Sequence, residues 1–226
     1  MNHFWKPLFA LAIFSLYSLG ASGQEVKDAK FLFQAGAGVS GLYAPAFSKW
    51  SETVTYEQSD DFHVSLGLEG AAQLRIATDF WLGAQVSYSR IDQSLDKFSY
   101  KQSSLTATLF QPAVFVSFIP NEFLKQKALV RASLGAGPVF AGITTDFETE
   151  TDYSGLGAGI FLEGEFGLPL TNLLFASFRA KLAGGLTGSL THNAKSLQYI
   201  DSDAKIKDVT LSYFQAGVSI GVALLL

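Results

Sequence analysis

Apolar and polar residues alternate with a period of two along most of this chain. The pattern is clearest in the last stretch, Leu211 to Leu226, where every second residue from Phe214 onward is apolar and the residues between are mostly small or polar. A period of two predicts a β-strand with one apolar and one polar face. A long apolar strand with a free edge would aggregate in water. The pattern therefore favours a strand that pairs with the first strand and closes a barrel in a lipid bilayer.

Seven further segments repeat the alternation, at 31–43, 62–76, 80–90, 105–118, 128–143, 155–168 and 173–186. The connections between the eight strands alternate long, short, long, short, long, short, long. Outer-membrane barrels have an even number of strands, short periplasmic turns and longer external loops. The sequence therefore predicts an all-β fold, an eight-stranded antiparallel up-and-down transmembrane β-barrel over residues 31–226, with both termini periplasmic. The long connections, at 44–61, 91–104, around 146–153 and at 187–208, are predicted as polar loops.

Periodicity alone does not say which face points inward, because a soluble barrel of the lipocalin type alternates in the same way. Two features favour the membrane. The polar face is mostly Gly, Ser, Ala and Gln, where a face in water would carry more Lys and Glu. Charged residues within the strands also share the small-residue face, and a basic residue on the lipid face at mid-bilayer would cost about 2–4 kcal/mol.

We therefore expect these charges to point into the barrel and to form an interior polar network. Its predicted members are Glu69, Arg75, Arg131, Glu163, Glu165, Arg179 and Lys181. An eight-stranded barrel is just wide enough inside for side chains, and buried charges persist when they are paired. A structural filling of the barrel is the favoured interpretation, and a narrow polar path is the alternative.

Composition narrows the class of protein further. The chain has 226 residues, of which 48% are hydrophobic and 16% charged, and it has no cysteine. Disulfides, thiol catalysis, thiolate metal sites and lipoprotein acylation are thereby excluded. The net charge of −4 argues against a nucleic-acid partner. No phosphate loop, zinc spacing, EF-hand loop or nucleotide fingerprint occurs, so we expect no cofactor and no metal.

The amino terminus has the pattern of a secretory signal peptide over residues 1–23. Lys6 lies in a short basic start, residues 8–19 are mostly apolar, and Ala21, Ser22 and Gly23 suit cleavage. Residues 24–30 would then form a short periplasmic segment before the barrel. The alternative is a membrane anchor, although the apolar stretch is short for a spanning helix.

Several local features resemble the small Gram-negative outer-membrane β-barrel proteins of the porin family or PorT-like type. They are Gly135-Ala136-Gly137-Pro138 in the fifth strand, Gln111-Pro112 in the fourth, and the glycine-rich first and last strands. The resemblance covers essentially the whole mature chain and implies an integral protein of the outer membrane. Its implied partners are outer-membrane lipids and lipopolysaccharide, the barrel-insertion machinery, and an extracellular or envelope protein bound through the loops. Such barrels usually end in an aromatic residue, whereas this chain ends in Leu226.

Three functions remain open at this stage. A structural or surface-interaction role is favoured, and a narrow channel or secretion-accessory role is the alternative. A lipid A-modifying enzyme is the third, because His63 and Ser65 are the residue types such barrels use. Both residues have inward parity, whereas a lipid substrate lies outside, so we expect that the chain is not an enzyme. The acidic loop residues, Asp60, Asp61, Asp146, Glu148, Glu150 and Asp152, are candidates for divalent cation binding, but a solvated acidic loop is favoured.

Overall fold

The computed structural model describes residues 29–55, 62–95, 103–146, 150–200 and 203–226, so the predicted signal peptide and most of the segment after it lie outside the described residues. Eight long strands form a closed antiparallel barrel: β1 Phe31–Tyr43, β2 Phe62–Arg75, β3 Phe80–Leu95, β4 Ser103–Phe118, β5 Leu129–Asp146, β6 Glu150–Pro169, β7 Leu174–Thr187 and β12 Tyr213–Leu225. Each strand pairs with its neighbours in sequence, and β1 pairs with β12 from Leu32–Leu225 to Tyr43–Phe214. The predicted eight-stranded antiparallel barrel is confirmed.

The outward face of the barrel is apolar over a band of defined height. Side chains such as Val64 (77% exposed) and Ile220 (66%) project from the wall. A row of aromatic residues bounds the band on each side, with Tyr88 paired to Phe110 at the loop end and Phe80 paired to Phe118 at the turn end. The rows are eight residues apart, which is roughly 26 Å along a strand. Because the strands tilt by about 40° from the barrel axis, the rows are about 20 Å apart along that axis. This approaches the apolar band of about 25 Å expected of outer-membrane barrels.

The wall is taller on one side than on the other. Strands β3 to β6 continue beyond the loop-end aromatic row, whereas β1 ends at Tyr43 and β12 begins at Tyr213. The predicted limits of these four strands were too short at this end. Their outward residues become polar there, as at Asp92 and Thr106, so the apolar signal stops while the strand pairing continues.

Two of the predicted polar loops contain regular structure. Helix α1, Pro45–Thr55, follows β1, and the last connection contains β8 Thr191–His192, β9 Lys195–Ser196, β10 Gln198–Ile200 and β11 Ile206–Asp208. A short helix, α2 Asn121–Lys125, lies in the connection from β4 to β5. None of the helices in the described part of the chain is long and apolar enough to cross a membrane.

The barrel interior has three layers along its axis. The loop-end cluster packs α1 and the last connection against the strands, and its members include Leu42, Phe47, Trp50, Ile91, Leu105, Ile143, Leu190, Tyr199 and Leu211. The turn-end cluster includes Leu32, Trp81, Ile119, Leu129, Phe175 and Leu225. Charged side chains lie between the two. The sequence predicted the charged network, and the structure adds large apolar residues at inward positions on both sides of it.

The charged layer of the barrel interior

Strands β5, β6 and β7 place charges of alternating sign side by side. Arg131 pairs in register with Glu165, which pairs with Arg179 on its other side. Two residues earlier on β6, Glu163 pairs with Lys181. Side chains repeat with a period of two, so all five point into the barrel, and opposite charges directly across a strand pair stabilise the sheet. We call these five residues together with Glu69 the charged layer.

Arg131 is the centre of the layer on the β5 side. Its Nη2 donates to Glu163 Oε1, and its Nε lies 2.7 Å from Glu165 Oε2. All three side chains are at most 2% exposed. Each carboxylate therefore has a guanidinium partner, which is the condition under which buried charges are tolerated.

Glu69 connects the layer across the lumen. It projects from β2, on the far side of the barrel from β6, and its Oε1 lies 3.0 Å from Arg179 Nη1. Lys181 Nζ lies 3.8 Å from the other oxygen, and Ser219 Oγ donates to Oε1 at 2.6 Å. The layer thus holds three carboxylates and three cations, so its formal charge is zero.

Neutral side chains extend the layer to other strands. Gln34 Nε2 donates to Glu165 Oε2, and Gln73 Nε2 donates to Gln34 Oε1 at 2.8 Å. Ser117 Oγ donates to Gln73 Oε1 at 2.7 Å and lies 2.9 Å from Ser133 Oγ. These residues were missed as members from the sequence, although Gln73 and Ser133 have the parity of the charges on their own strands.

The rings of Phe115 and Phe161 lie within the layer. The Arg131 guanidinium carbon is 5.8 Å from the Phe115 ring centroid, and Lys181 Nζ is 4.9 Å from that of Phe161. Cations at these distances are attracted by the face of an aromatic ring. The rings fill the space between the ion pairs and exclude water from them.

Two glycines make room for Arg179. Gly36 of β1 pairs with Gly221 of β12, and the guanidinium lies over this pair. A Cβ added to Gly221 would overlap the Ala35 carbonyl oxygen and would lie 2.7 Å from Arg179 Nη2. The seam between the first and last strands therefore accepts a large side chain because its own residues have none.

Six of the seven residues predicted for the interior network lie in the charged layer, and Arg75 lies apart from them. Arg75 is the last residue of β2, at the turn end. Its Nε is 3.0 Å from the Thr78 carbonyl oxygen, and its guanidinium carbon is 5.9 Å from the Trp81 ring centroid. Inward parity identified its face correctly, but its depth puts it at the β2–β3 turn.

The structure gives His63 and Ser65 separate contacts. His63 Nε2 lies 3.2 Å from Ser48 Oγ of α1, and its ring packs edge-on against Phe47. Ser65 Oγ lies 2.6 Å from Ser40 Oγ and 3.4 Å from the donor Gln215 Nε2. His63 therefore contacts α1, whereas Ser65 belongs to a polar cluster below it. Within the described ranges, no three side chains of the metal-binding types lie close enough to hold a metal ion.

Comparison with known proteins shows the fold and no closer relationship. No family model matches the chain, and no curated protein matches its sequence. A major outer membrane protein from Thermus thermophilus is similar in structure, with a TM-score of 0.52, 12% identity, and coverage of 88% of this chain and 100% of that one. Neisserial surface protein A (TM-score 0.46, 13% identity, 87% and 97% coverage) also matches. The chain has the fold of the small outer-membrane β-barrel proteins.

One comparison corrects an expectation about activity. The outer membrane protease OmpT from Escherichia coli is also similar, with a TM-score of 0.45, 6% identity, and coverage of 92% of this chain and 100% of that one. The expectation that this chain is not an enzyme is contradicted, because a protease is among the barrels that resemble it. The fold is compatible with enzymes and with proteins that are not enzymes.

Proposed function

We propose that this chain is an integral outer-membrane barrel with a closed interior and a structural or surface-interaction role. The observation that carries the proposal is the combination of an apolar outer wall with a lumen filled at three levels. The wall favours hydrocarbon around the barrel, and the filled lumen argues against passage through it.

The orientation follows from the loops. The backbone N–H groups of Lys30 and Phe31 donate to the Leu226 carbonyl oxygen at 2.6 and 2.8 Å. The first and last strands of the barrel therefore meet at the short-turn end. Outer-membrane barrels keep short turns in the periplasm. We therefore infer periplasmic termini and an external end formed by α1 and the last connection. This orientation agrees with a signal peptide over residues 1–23 and with membership of the porin-family or PorT-like barrels.

The loop end supports an interaction role. Its described strands β10 and β11 form a hairpin in which Ile200 and Ile206 pair and are 60% and 68% exposed. Exposed apolar pairs on an ordered loop are suited to a partner surface. An extracellular or envelope protein is the partner we infer there. Outer-membrane lipids, lipopolysaccharide and the barrel-insertion machinery are the partners we infer for the wall and for the last strand.

The alternative function, a narrow channel, is tested by conductance. Refolded protein in planar bilayers should give no discrete current steps, because Phe47 and Trp81 fill the two ends and are fully buried. The same protein should show heat-modifiable mobility on a gel and should be recovered in the outer-membrane fraction. Stable single-channel currents would refute the closed interior. A soluble periplasmic location would refute the membrane assignment itself.

A further inference from the structure

The barrel interior contains a small polar chamber on the loop side of the charged layer. We propose that this chamber binds a hydroxyl group that accepts a hydrogen bond from Lys181 and donates one to Glu69. Water and a small diol carry the same group, and one experiment separates these two sources. The site depends on the closed interior proposed above and adds a ligand to it.

The chamber has a volume of about 50 Å³ and lies where inward residues of three adjacent strands are glycine. Gly38 of β1, Gly67 of β2 and Gly217 of β12 border it. Strands β4 and β6, by contrast, carry the rings of Phe115 and Phe161 inside the barrel. The lumen is therefore filled on the side of the phenylalanines and keeps a space on the side of the glycines.

Lys181 is the least enclosed cation of the charged layer. Its side chain is 18% exposed, against 1% for Arg131 and 2% for Arg179. Among the residues that the structure describes, its Nζ contacts only Glu69 Oε2, at 3.8 Å, and the Phe161 ring. A separation of 3.8 Å is too long for a hydrogen bond. The ammonium protons therefore still need an acceptor, and the side chain borders the chamber.

The two oxygens of Glu69 have different surroundings. Oε1 lies 3.0 Å from Arg179 Nη1 and accepts the hydrogen bond from Ser219, whereas Oε2 has only Lys181 Nζ near it in the described structure. One further oxygen atom, about 2.8 Å from each, can reach both Nζ and Oε2. A polar contact across a gap of this size is the setting in which a bridging oxygen is expected.

Serine hydroxyls on the loop side of the chamber supply a third partner. Gln215 Nε2 donates to Ser40 Oγ at 2.5 Å and to Ser89 Oγ at 3.1 Å. Because the Ser89 oxygen accepts from the amide, its own proton stays available to donate into the chamber. Donors on Lys181 and Ser89 and an acceptor on Glu69 therefore border one space. Buried waters usually have about two to four such partners.

Charge and size favour a neutral hydroxyl over an ion. The charged layer has a formal charge of zero, so a chloride or sodium ion would add a buried charge without a partner. A hydroxyl is neutral and both donates and accepts through a single atom. A space of this size holds about three water-sized groups, so ethylene glycol is close to the largest diol that fits.

The test uses crystals of the full refolded barrel, grown without any diol, at a resolution that shows ordered water. We expect density for an oxygen within hydrogen-bonding distance of both Lys181 Nζ and Glu69 Oε2. A soak in ethylene glycol then separates the sources, because unchanged density identifies water and longer continuous density identifies the diol. Density that reaches neither atom would overturn the site. Anomalous scattering there after a bromide soak would also overturn it, by showing an ion.

Gly67→Ala tests the site in solution. A Cβ at Gly67 meets nothing nearer than the Tyr88 carbonyl oxygen at 3.4 Å, so the methyl group enters the chamber without a backbone clash. Gly70→Ala is the matched control, because this outward glycine of the same strand has its nearest atom at 3.8 Å. Gly67→Ala should melt about 3 °C or more below Gly70→Ala, since the bridge between Lys181 and Glu69 is lost. Equal or higher melting of Gly67→Ala would contradict the bridge.

Heat-modifiable mobility and outer-membrane fractionation of the wild type separate this site from the proposed membrane function. A barrel that folds and inserts but has no bridging oxygen refutes the chamber site alone. A protein that does not insert refutes the membrane function on which the site rests.

Discussion

Arg131 binds two carboxylates in a place that water does not reach, and its removal would leave both without their main partner. Breaking a buried ion pair from one side costs about 3–5 kcal/mol. We expect Arg131→Ala to lower the free energy of unfolding by about that amount, measured by urea titration of the refolded barrel. Lys205→Ala, at a largely exposed ion pair with Asp203, should change it by less than about 1 kcal/mol. Equal effects of the two variants would contradict the pairing described for Arg131.

The space that glycines leave above the β1–β12 seam can also be tested with a single substitution. Gly221→Ala would bring a methyl group against the Arg179 guanidinium and the backbone of β1. Overpacking of this kind costs about 1–3 kcal/mol, which should appear as a lower melting temperature. Gly164→Ala is the control, because a Cβ there meets nothing within 4 Å. A drop of similar size at Gly164 would show that the loss comes from the strand backbone and not from Arg179.

The strands could be predicted from the sequence because each has a lipid-facing row, and a lipid-facing row must be apolar. Helix α1 could not be predicted in this way. Phe47 and Trp50 are large apolar residues in a stretch otherwise read as a polar loop, and they are buried by contacts with distant strands. Pro45, a residue favoured at the first position of a helix, was the available local signal.

Helix α1 should contribute to stability through those two side chains. Phe47 is fully buried in the loop-end cluster, so Phe47→Ala should cost about 3–5 kcal/mol if the helix unfolds together with the barrel. Bilayer recordings of the same variant should stay silent, because the charged layer and the turn-end cluster still fill the lumen. Discrete currents from Phe47→Ala would mean that α1 alone closes the barrel.

At the scale of the whole molecule, inward parity identified six charges that lie in the charged layer but did not say which of them pair. Glu163 and Lys181 are neighbours by register, which hairpin connections allow a reader to deduce. The contact between Glu69 and Arg179 crosses the lumen, and it depends on the diameter of the closed barrel. The sequence also indicated an apolar outward position at Leu224, which the structure buries in the turn-end cluster.

Closure of the barrel and neutrality of the charged layer are linked. Strands β5 to β7 carry three cations and two carboxylates of the charged layer, so the net charge of their part of the layer is +1. The layer becomes neutral when β2 joins the barrel and adds Glu69. We expect Glu69→Gln to slow refolding into lipid vesicles, followed by the appearance of the compact gel form. Glu122→Gln, on the short helix α2 outside the layer, is the matched control. Identical refolding rates for the two variants would show that closure of the barrel does not depend on neutralising the charged layer.

The sealed ends of the lumen have a consequence for ionic strength. Salt weakens interactions between charges that mobile ions can surround, within a screening length of about 8 Å at 0.15 M. Arg131, Glu163 and Glu165 are at most 2% exposed between two apolar clusters, so dissolved ions do not reach them. The attraction among these three groups should therefore change much less between dilute medium and brine than that of the exposed ion pairs in the loops.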